Sequence, residues 1–252
     1  MRPNDLFDLS GKVALITGGS RGLGREMALA FADAGADIII ASRKLDECEK
    51  AVAEVEAKGR KGMAYAAHVG DWDALTGLVD AAYERFGHVD VLVNNAGMSP
   101  LYPRIEDVTE ALYDKVLDVN LKGPFRLTQL VGSRMAAGDG GSVINISSVA
   151  SWKPTPDVIP YAAAKRGLNA ITEGFAWTWR GKVRVNCIVA GPFLTDISKA
   201  WDMKGFEASA QVHVAMGRGG QPDEIVGAAL YFASDASSFT TGALLPVSGG
   251  QR

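Results

Sequence analysis

A doubly wound α/β fold, a parallel sheet of seven strands with helices on both faces, is predicted from three features of the 252-residue sequence. Short apolar runs alternate with longer amphipathic stretches from Lys12 almost to the C-terminus, and no shift in composition marks a linker, so residues 1–252 read as one domain. The runs are apolar on both faces rather than at every second position, the pattern of parallel strands covered from both sides. Glycine numbers 29, against roughly 18 for a usage of about 7%. With only 10 prolines the surplus is not a low-complexity linker, so the fold needs bare backbone at particular places.

Taken in order, strand Val13 to Thr17 is followed by the helical pattern Gly22 to Asp33, and strand Asp37 to Ala41 by Lys44 to Lys58. Strand Lys61 to Ala66 precedes the helical stretch Trp72 to Phe86, and strand Val89 to Val93 precedes one long helix, Glu110 to Ala136. Strand Ser142 to Ile146 leads to helix Tyr161 to Trp179, strand Val183 to Ile188 to helix Pro222 to Ser234, and Leu244 to Val247 closes the sheet. In such sheets ligands bind beyond the carboxyl ends of the strands, so the irregular segments there are where chemistry is expected.

A net charge of −3 and a pI near 5.7, without a basic block or stripe, exclude a chain built to grip nucleic-acid phosphates. No stretch approaches the roughly 18 apolar residues of a membrane span, and Met1 to Gly11 lacks the apolar run of a signal peptide. A cytoplasmic protein is expected, with no membrane or nucleic-acid partner. Cys48 and Cys187 have no metal-ligand spacing and read as free thiols in a reducing compartment, so no metal site is expected.

The first strand runs into Thr17-Gly18-Gly19-Ser20-Arg21-Gly22-Leu23-Gly24 and then a helix. Glycines there let backbone approach a pyrophosphate, which sits against free N–H groups at the helix N-terminus, as in a Rossmann-like dinucleotide site. The second strand ends at Ser42 and Arg43 with no carboxylate. An acidic residue at that place accepts from a ribose 2′-hydroxyl and repels a 2′-phosphate, whereas Ser42, Arg43 and Arg21 offer donors and positive charge; NADP(H) is favoured over NAD(H). Tyr161 and Lys165 lie four apart and share a helix face, and Ser148 stands at the end of the fifth strand.

These motifs, with Asn94-Asn95-Ala96-Gly97 and Asn120 in Asp118-Val119-Asn120, resemble the short-chain dehydrogenase/reductase family over nearly the whole chain and in the family's order. The resemblance implies a catalytic tetrad of Asn120, Ser148, Tyr161 and Lys165. It implies a cofactor site of Gly18, Ser20, Arg21, Gly22, Leu23, Gly24, Ser42, Arg43, His68, Val69, Asn95, Ala96, Gly97, Tyr161, Lys165, Gly191, Pro192, Phe193 and Thr195. Two departures stand out: Ala190-Gly191-Pro192 where the family commonly has Pro-Gly, and His68 where an aspartate often meets the adenine. Substrate would meet Met98, Ser148, Trp152, Tyr161, Phe193 and Trp201, under a lid over about 194–216. The largely apolar lining, which includes Leu101 and Tyr102, suits an uncharged carbonyl compound.

The implied reaction passes a hydride between NADP(H) and a carbonyl or secondary alcohol, with Tyr161 as general acid/base and Ser148 holding the oxygen. A lysine ammonium about 4 Å away would contribute about 4 kcal/mol at an effective dielectric of about 20 and bring the tyrosine pKa down by up to roughly three. A ketone reductase is the leading expectation. The alternatives are a polyol, sugar-acid or other alcohol dehydrogenase working oxidatively, a 3-oxoacyl thioester reductase, and a non-enzymatic cofactor-binding sensor. The family commonly assembles through its two long helices, here Glu110 to Ala136 and Tyr161 to Trp179, so a homotetramer or dimer is implied, with Phe175, Trp177 and Trp179 as candidates for the contact.

Overall fold

The computed structural model describes residues 3–196, 198 and 202–251. Seven parallel strands, β1 (Val13–Thr17), β2 (Asp37–Ser42), β3 (Gly62–Ala66), β4 (Val91–Asn94), β5 (Gly141–Ser148), β6 (Val183–Ala190) and β7 (Leu244–Val247), form one sheet in the order β3-β2-β1-β4-β5-β6-β7. The fold is therefore the Rossmann-like doubly wound sheet expected. Alternate side chains enter opposite layers: Ala14, Ile16, Ile38 and Ile40 belong to one apolar cluster, and Val13, Leu15, Ile39 and Ala41 to the other. This double burial is why the strand sequences read as continuous apolar runs.

One layer contains α1 (Gly22–Asp33), α2 (Leu45–Ala57) and α8 (Val226–Ala233), represented in the core by Phe31, Val55 and Phe232. The other contains α3 (Ala74–Phe86), α5 (Gly123–Ala137) and α6 (Ile159–Thr178), with Leu78, Val131 and Ala176. Phe175 and Trp179 stack on each other at 5.3 Å, and Trp179 lies over Gly132, so two of the three aromatic candidates for an assembly contact pack within the chain. Trp177 is left exposed. Among the described residues no helix is long and apolar enough to cross a membrane.

The single helix expected over Glu110 to Ala136 is divided. An α-helix, α4 (Glu110–Leu117), passes through a π-helical turn at Asp118–Lys122 before α5 begins. Pro124, in the first turn of α5, has no N–H to return to the Asn120 carbonyl, and its ring disfavours the ordinary turn beneath it. Gly123 lies so close to the Val69 carbonyl that any Cβ there would collide with it. A second difference is α7 (Met203–His213), a helix within the expected lid. A third is the start of the expected helix at Pro222, which is a 3₁₀ turn capped reciprocally by Gln221 and Glu224.

Chain order places β2 and β3 on one side of β1 and β4 on the other, so the crevice between the ends of β1 and β4 is the topological switch point. The buried Thr17 hydroxyl spans it, donating to the Val93 carbonyl at 3.3 Å and accepting from the backbone N–H groups of Asn95 and Ala96, each at 3.1 Å. Thr17→Val keeps the shape but strands both N–H groups. It should cost about 2–4 kcal/mol, read from urea unfolding; a loss under about 1 kcal/mol would mean that water replaces the hydroxyl.

Candidate active site

The crevice floor is made of backbone. Gly18 (φ +65°) has no room for a side chain, since a Cβ would stand 2.9 Å from Asn95 Nδ2, and Gly24 presses on the Gly18 carbonyl. Asn95 Nδ2 donates to the carbonyls of Thr17 (3.0 Å) and Gly18 (3.2 Å), holding the turn against the end of β4. Arg21 precedes α1 in extended conformation without capping it, so the first-turn N–H groups, at Gly22, Leu23 and Gly24, have no side-chain acceptor there. Backbone donors at the positive end of a helix have the right sign for a pyrophosphate. Thr195 packs beside Gly22, bringing the far loop to the same turn.

At the end of β2, the Ser42 hydroxyl lies 3.3 Å from that of Ser20 and 3.0 Å from Cys48 Sγ. The guanidinium groups of Arg21 and Arg43 are exposed and have no partner among the described residues. Half-buried hydroxyls and exposed cations without a carboxylate in the β2 end itself fit a phosphorylated ribose. His68 Nδ1 accepts from the N–H of Gly70 at 3.2 Å, so this histidine braces its own turn, and Val69 is buried beside it against Gly123.

The four residues of the expected tetrad come from three elements, the π turn, β5 and α6, and converge. Asn120, fully buried in the π turn, donates to the carbonyls of Met98 (2.8 Å) and Val116 (2.9 Å) and accepts from the Met98 N–H (3.2 Å). A Cβ at Gly97 would lie 3.0 Å from Asn120 Oδ1 and 3.6 Å from Lys165 Nζ, so the bare Gly97, after Ala96, separates the two side chains. Ser148 ends β5, its hydroxyl accepting from the Ala150 N–H at 3.2 Å and facing the Tyr161 hydroxyl closely enough to lower its pKa. The neighbouring Ser147 hydroxyl donates instead to the Lys165 carbonyl at 3.2 Å, inside the protein.

Lys165 is 3% exposed and donates to the Ile146 carbonyl at 2.8 Å, with Nζ 5.7 Å from the Tyr161 ring centre. Burial with no carboxylate beside it pushes the amine down to about 8. Burial likewise raises the Tyr161 hydroxyl above its ordinary value, and only the Ser148 hydroxyl opposes this. The expectation that the lysine lowers the tyrosine is thus corrected for the protein without ligand, because the amine is turned to a carbonyl and itself resists charge. Cys187, nearby in β6, is pushed up to about 12 by burial and is no nucleophile.

On the remaining side, Gly191 lies against Ser248, where a Cβ would meet its Cα at 2.5 Å. The Pro192 carbonyl accepts from Gly220 at 2.9 Å, which anchors the loop. Phe193 is 8% exposed with its ring over Gly220, so it is a core residue rather than a wall of the substrate mouth. Met98 is half-buried and Trp152 is 40% exposed; Trp201 lies outside the described residues. Tyr102 is buried with its hydroxyl bonded to backbone, which removes it from the lining. Thr17 is the functional residue that motif spacing undervalued. Its signal was a lone hydroxyl ending an otherwise apolar strand. No group of three or more metal-ligating side chains occurs among the described residues.

A family model described as enoyl-(acyl carrier protein) reductase matches residues 18–252. The human protein named dehydrogenase/reductase SDR family member 4 is 34% identical over 244 residues, 96% of this chain and 88% of that protein. A solved 7α-hydroxysteroid dehydrogenase, complexed with NADH and 7-oxo glycochenodeoxycholic acid, superposes with a TM-score of 0.95 at 32% identity, covering 100% of this chain and 98% of the other. A gluconate 5-dehydrogenase from Burkholderia cenocepacia, in complex with NADP and tartrate, gives 0.94 at 33% identity, with 99% and 98% covered.

The depressed Lys165 value has a consequence for stability. Because its folded value of about 8 lies below the ordinary 10.5, the folded state bears the full cost of the buried ammonium below pH 8. Between those two values the unfolded chain still holds a proton that the folded chain has released, so stability owed to this group rises with pH. Urea unfolding without cofactor should show the wild type gaining on Lys165→Met across that window. A difference independent of pH would contradict the burial of a titrating amine.

Proposed function

This chain belongs to the short-chain dehydrogenase/reductase family and is an oxidoreductase of alcohols or ketones, and from that premise we propose that it is an NADP(H)-dependent ketone reductase with a largely apolar pocket. The observation that carries this reading is the Ser148–Tyr161 hydroxyl pair beside the buried Lys165 amine, at the carboxyl edge of the sheet. When bound, the nicotinamide supplies the hydride. Ser148 would donate to the substrate oxygen and hold it, and Tyr161 would pass its hydroxyl proton to that oxygen as charge develops. Lys165 would bind the cofactor's ribose edge, and Asn120, across Gly97 from it, would help keep water ordered behind the tyrosine.

Support for the phosphorylated cofactor comes from Ser42 and the unpartnered guanidinium groups of Arg21 and Arg43, and from the NADP that the gluconate 5-dehydrogenase holds; the NADH of the steroid dehydrogenase is the counterweight. The segment 194–216, with α7, would act as the lid, and Met98 and Trp152 as the mouth. Assembly of copies of the chain would use the exposed Trp177 on α6.

A panel of ketones and alcohols, assayed with both cofactors by the absorbance of the reduced nicotinamide, tests the reaction. Tyr161→Phe should lower turnover by about 10³-fold or more, beyond the roughly 10²–10⁴-fold range's lower end for a lost acid/base group, with cofactor affinity retained. Retained turnover in that variant would defeat the assignment. Arg43→Ala should lower the preference for NADPH over NADH by about tenfold, the worth of one charged phosphate contact. An unchanged ratio of the two efficiencies would remove Arg43 from the site.

A further inference from the structure

The helix that carries Tyr161 and Lys165 begins without a cap of its own. Val158, just before α6, has no side-chain acceptor, and Pro160 has no N–H. The first N–H of the helix, that of Ile159, is satisfied from 57 residues away: it donates to the Tyr102 hydroxyl at 2.9 Å. The same hydroxyl donates to the Pro156 carbonyl at 2.7 Å. Pro156 and Ile159 are the two residues that a tight turn would join directly, and the Tyr102 oxygen stands between them as both acceptor and donor. Tyr102 is 8% exposed, so its ring is packed while its hydroxyl makes both bonds. Its stretch of chain follows Asn95, Gly97 and Met98, which are held by the Thr17 and Asn120 contacts.

We propose that Tyr102 is a positioning residue, whose hydroxyl sets the first turn of α6 and thereby the placement of Tyr161, two residues further on. The inference rests on the reading of Tyr161 as the acid/base. Tyr102 touches neither substrate nor cofactor in this account; it acts through the Pro156–Ile159 backbone. The loop that leaves β4 and the catalytic helix therefore move as one body. Loss of a single hydroxyl should loosen their relation without unpacking the ring.

Three readouts test this. In the wild type without ligand, amide hydrogen exchange should show Ile159 protected by about tenfold or more, as a satisfied donor is, and Tyr102→Phe should lose that protection while the later turns of α6 keep theirs. In protein labelled at the tyrosine Cζ, Tyr102→Phe should move the apparent pKa of Tyr161 by about 0.5 or more. With a substrate from the panel, kcat should fall about tenfold with KM within about twofold, as expected for a reacting group displaced by less than 1 Å. Tyr102→His, with a ring nitrogen able to accept, is the second variant and should fall between.

An unprotected Ile159 in the wild type overturns the proposal. So does a Tyr102→Phe protein that loses protection while the Tyr161 titration and kcat stay as in the wild type, since the hydroxyl would then be a structural cap alone. Failure of the underlying reading looks different: Tyr161→Phe would itself retain turnover, whatever Tyr102→Phe does.

Discussion

The Thr17 hydroxyl is the contact on which the rest of the site depends. Where β1 and β4 diverge, a parallel sheet leaves backbone N–H groups that no neighbouring strand can accept from. Thr17 takes two of them and gives its own proton to the Val93 carbonyl. With Asn95 so placed, its amide can hold the carbonyls of the glycine turn, and the chain beyond it delivers Gly97 and Met98 to Asn120. Cofactor floor and proton-transfer group are thus tied to one oxygen at the switch point.

Orientation on the other side comes from polar contacts between α6 and β5. Lys165 reaches the Ile146 carbonyl, Ser147 reaches the Lys165 carbonyl, and Asn145 donates to Thr172. Each such bond is worth only about 0.5–1.5 kcal/mol net, and burying the lysine costs against them. Their importance is directional: an apolar interface would let α6 turn about its axis, and these bonds permit one rotation. The helix N-terminus is held in the same manner, by a hydroxyl from a distant loop. A buried amine and a buried phenol resist ionisation for the same reason, scarcity of compensating charge, and that leaves the proton on Tyr161.

Much of the fold was legible because parallel strands buried on both faces leave a simple trace in sequence. Val13 to Thr17 and Leu244 to Val247 have the limits read from the apolar runs, and the other strands differ by a few residues at their ends. Ser148, Tyr161, Lys165 and Asn120 were legible through spacing and family likeness. What spacing does not carry is where a side chain's hydrogen bonds go. Phe193 reads from sequence as a wall, yet its ring lies over Gly220, and Tyr102 reads as lining, yet its hydroxyl is committed to backbone. The break near Asn120 did have a local signal, Gly123-Pro124, but an uninterrupted apolar period across it outweighed that signal. The Lys165 pKa depends on burial and on a carbonyl from another element, neither visible in a Tyr-x-x-x-Lys motif.

The π turn at Asp118–Lys122 also governs what changes in length the chain can bear. It is one residue wider than an ordinary turn, and α5 beyond it presents Leu127, Val131 and Met135 to the sheet. A π turn holds about one residue more than an α turn for the same rotation, so deleting a single residue there would let the helix run straight through with α5 keeping its face to the sheet. The apolar stripe would stay in place, but Asn120, inside the turn, would leave its carbonyl partners Met98 and Val116. A segment that looks like a local irregularity is therefore a register mark: loops elsewhere can lengthen or shorten by a residue at little cost, but here the count of residues is itself part of the active site.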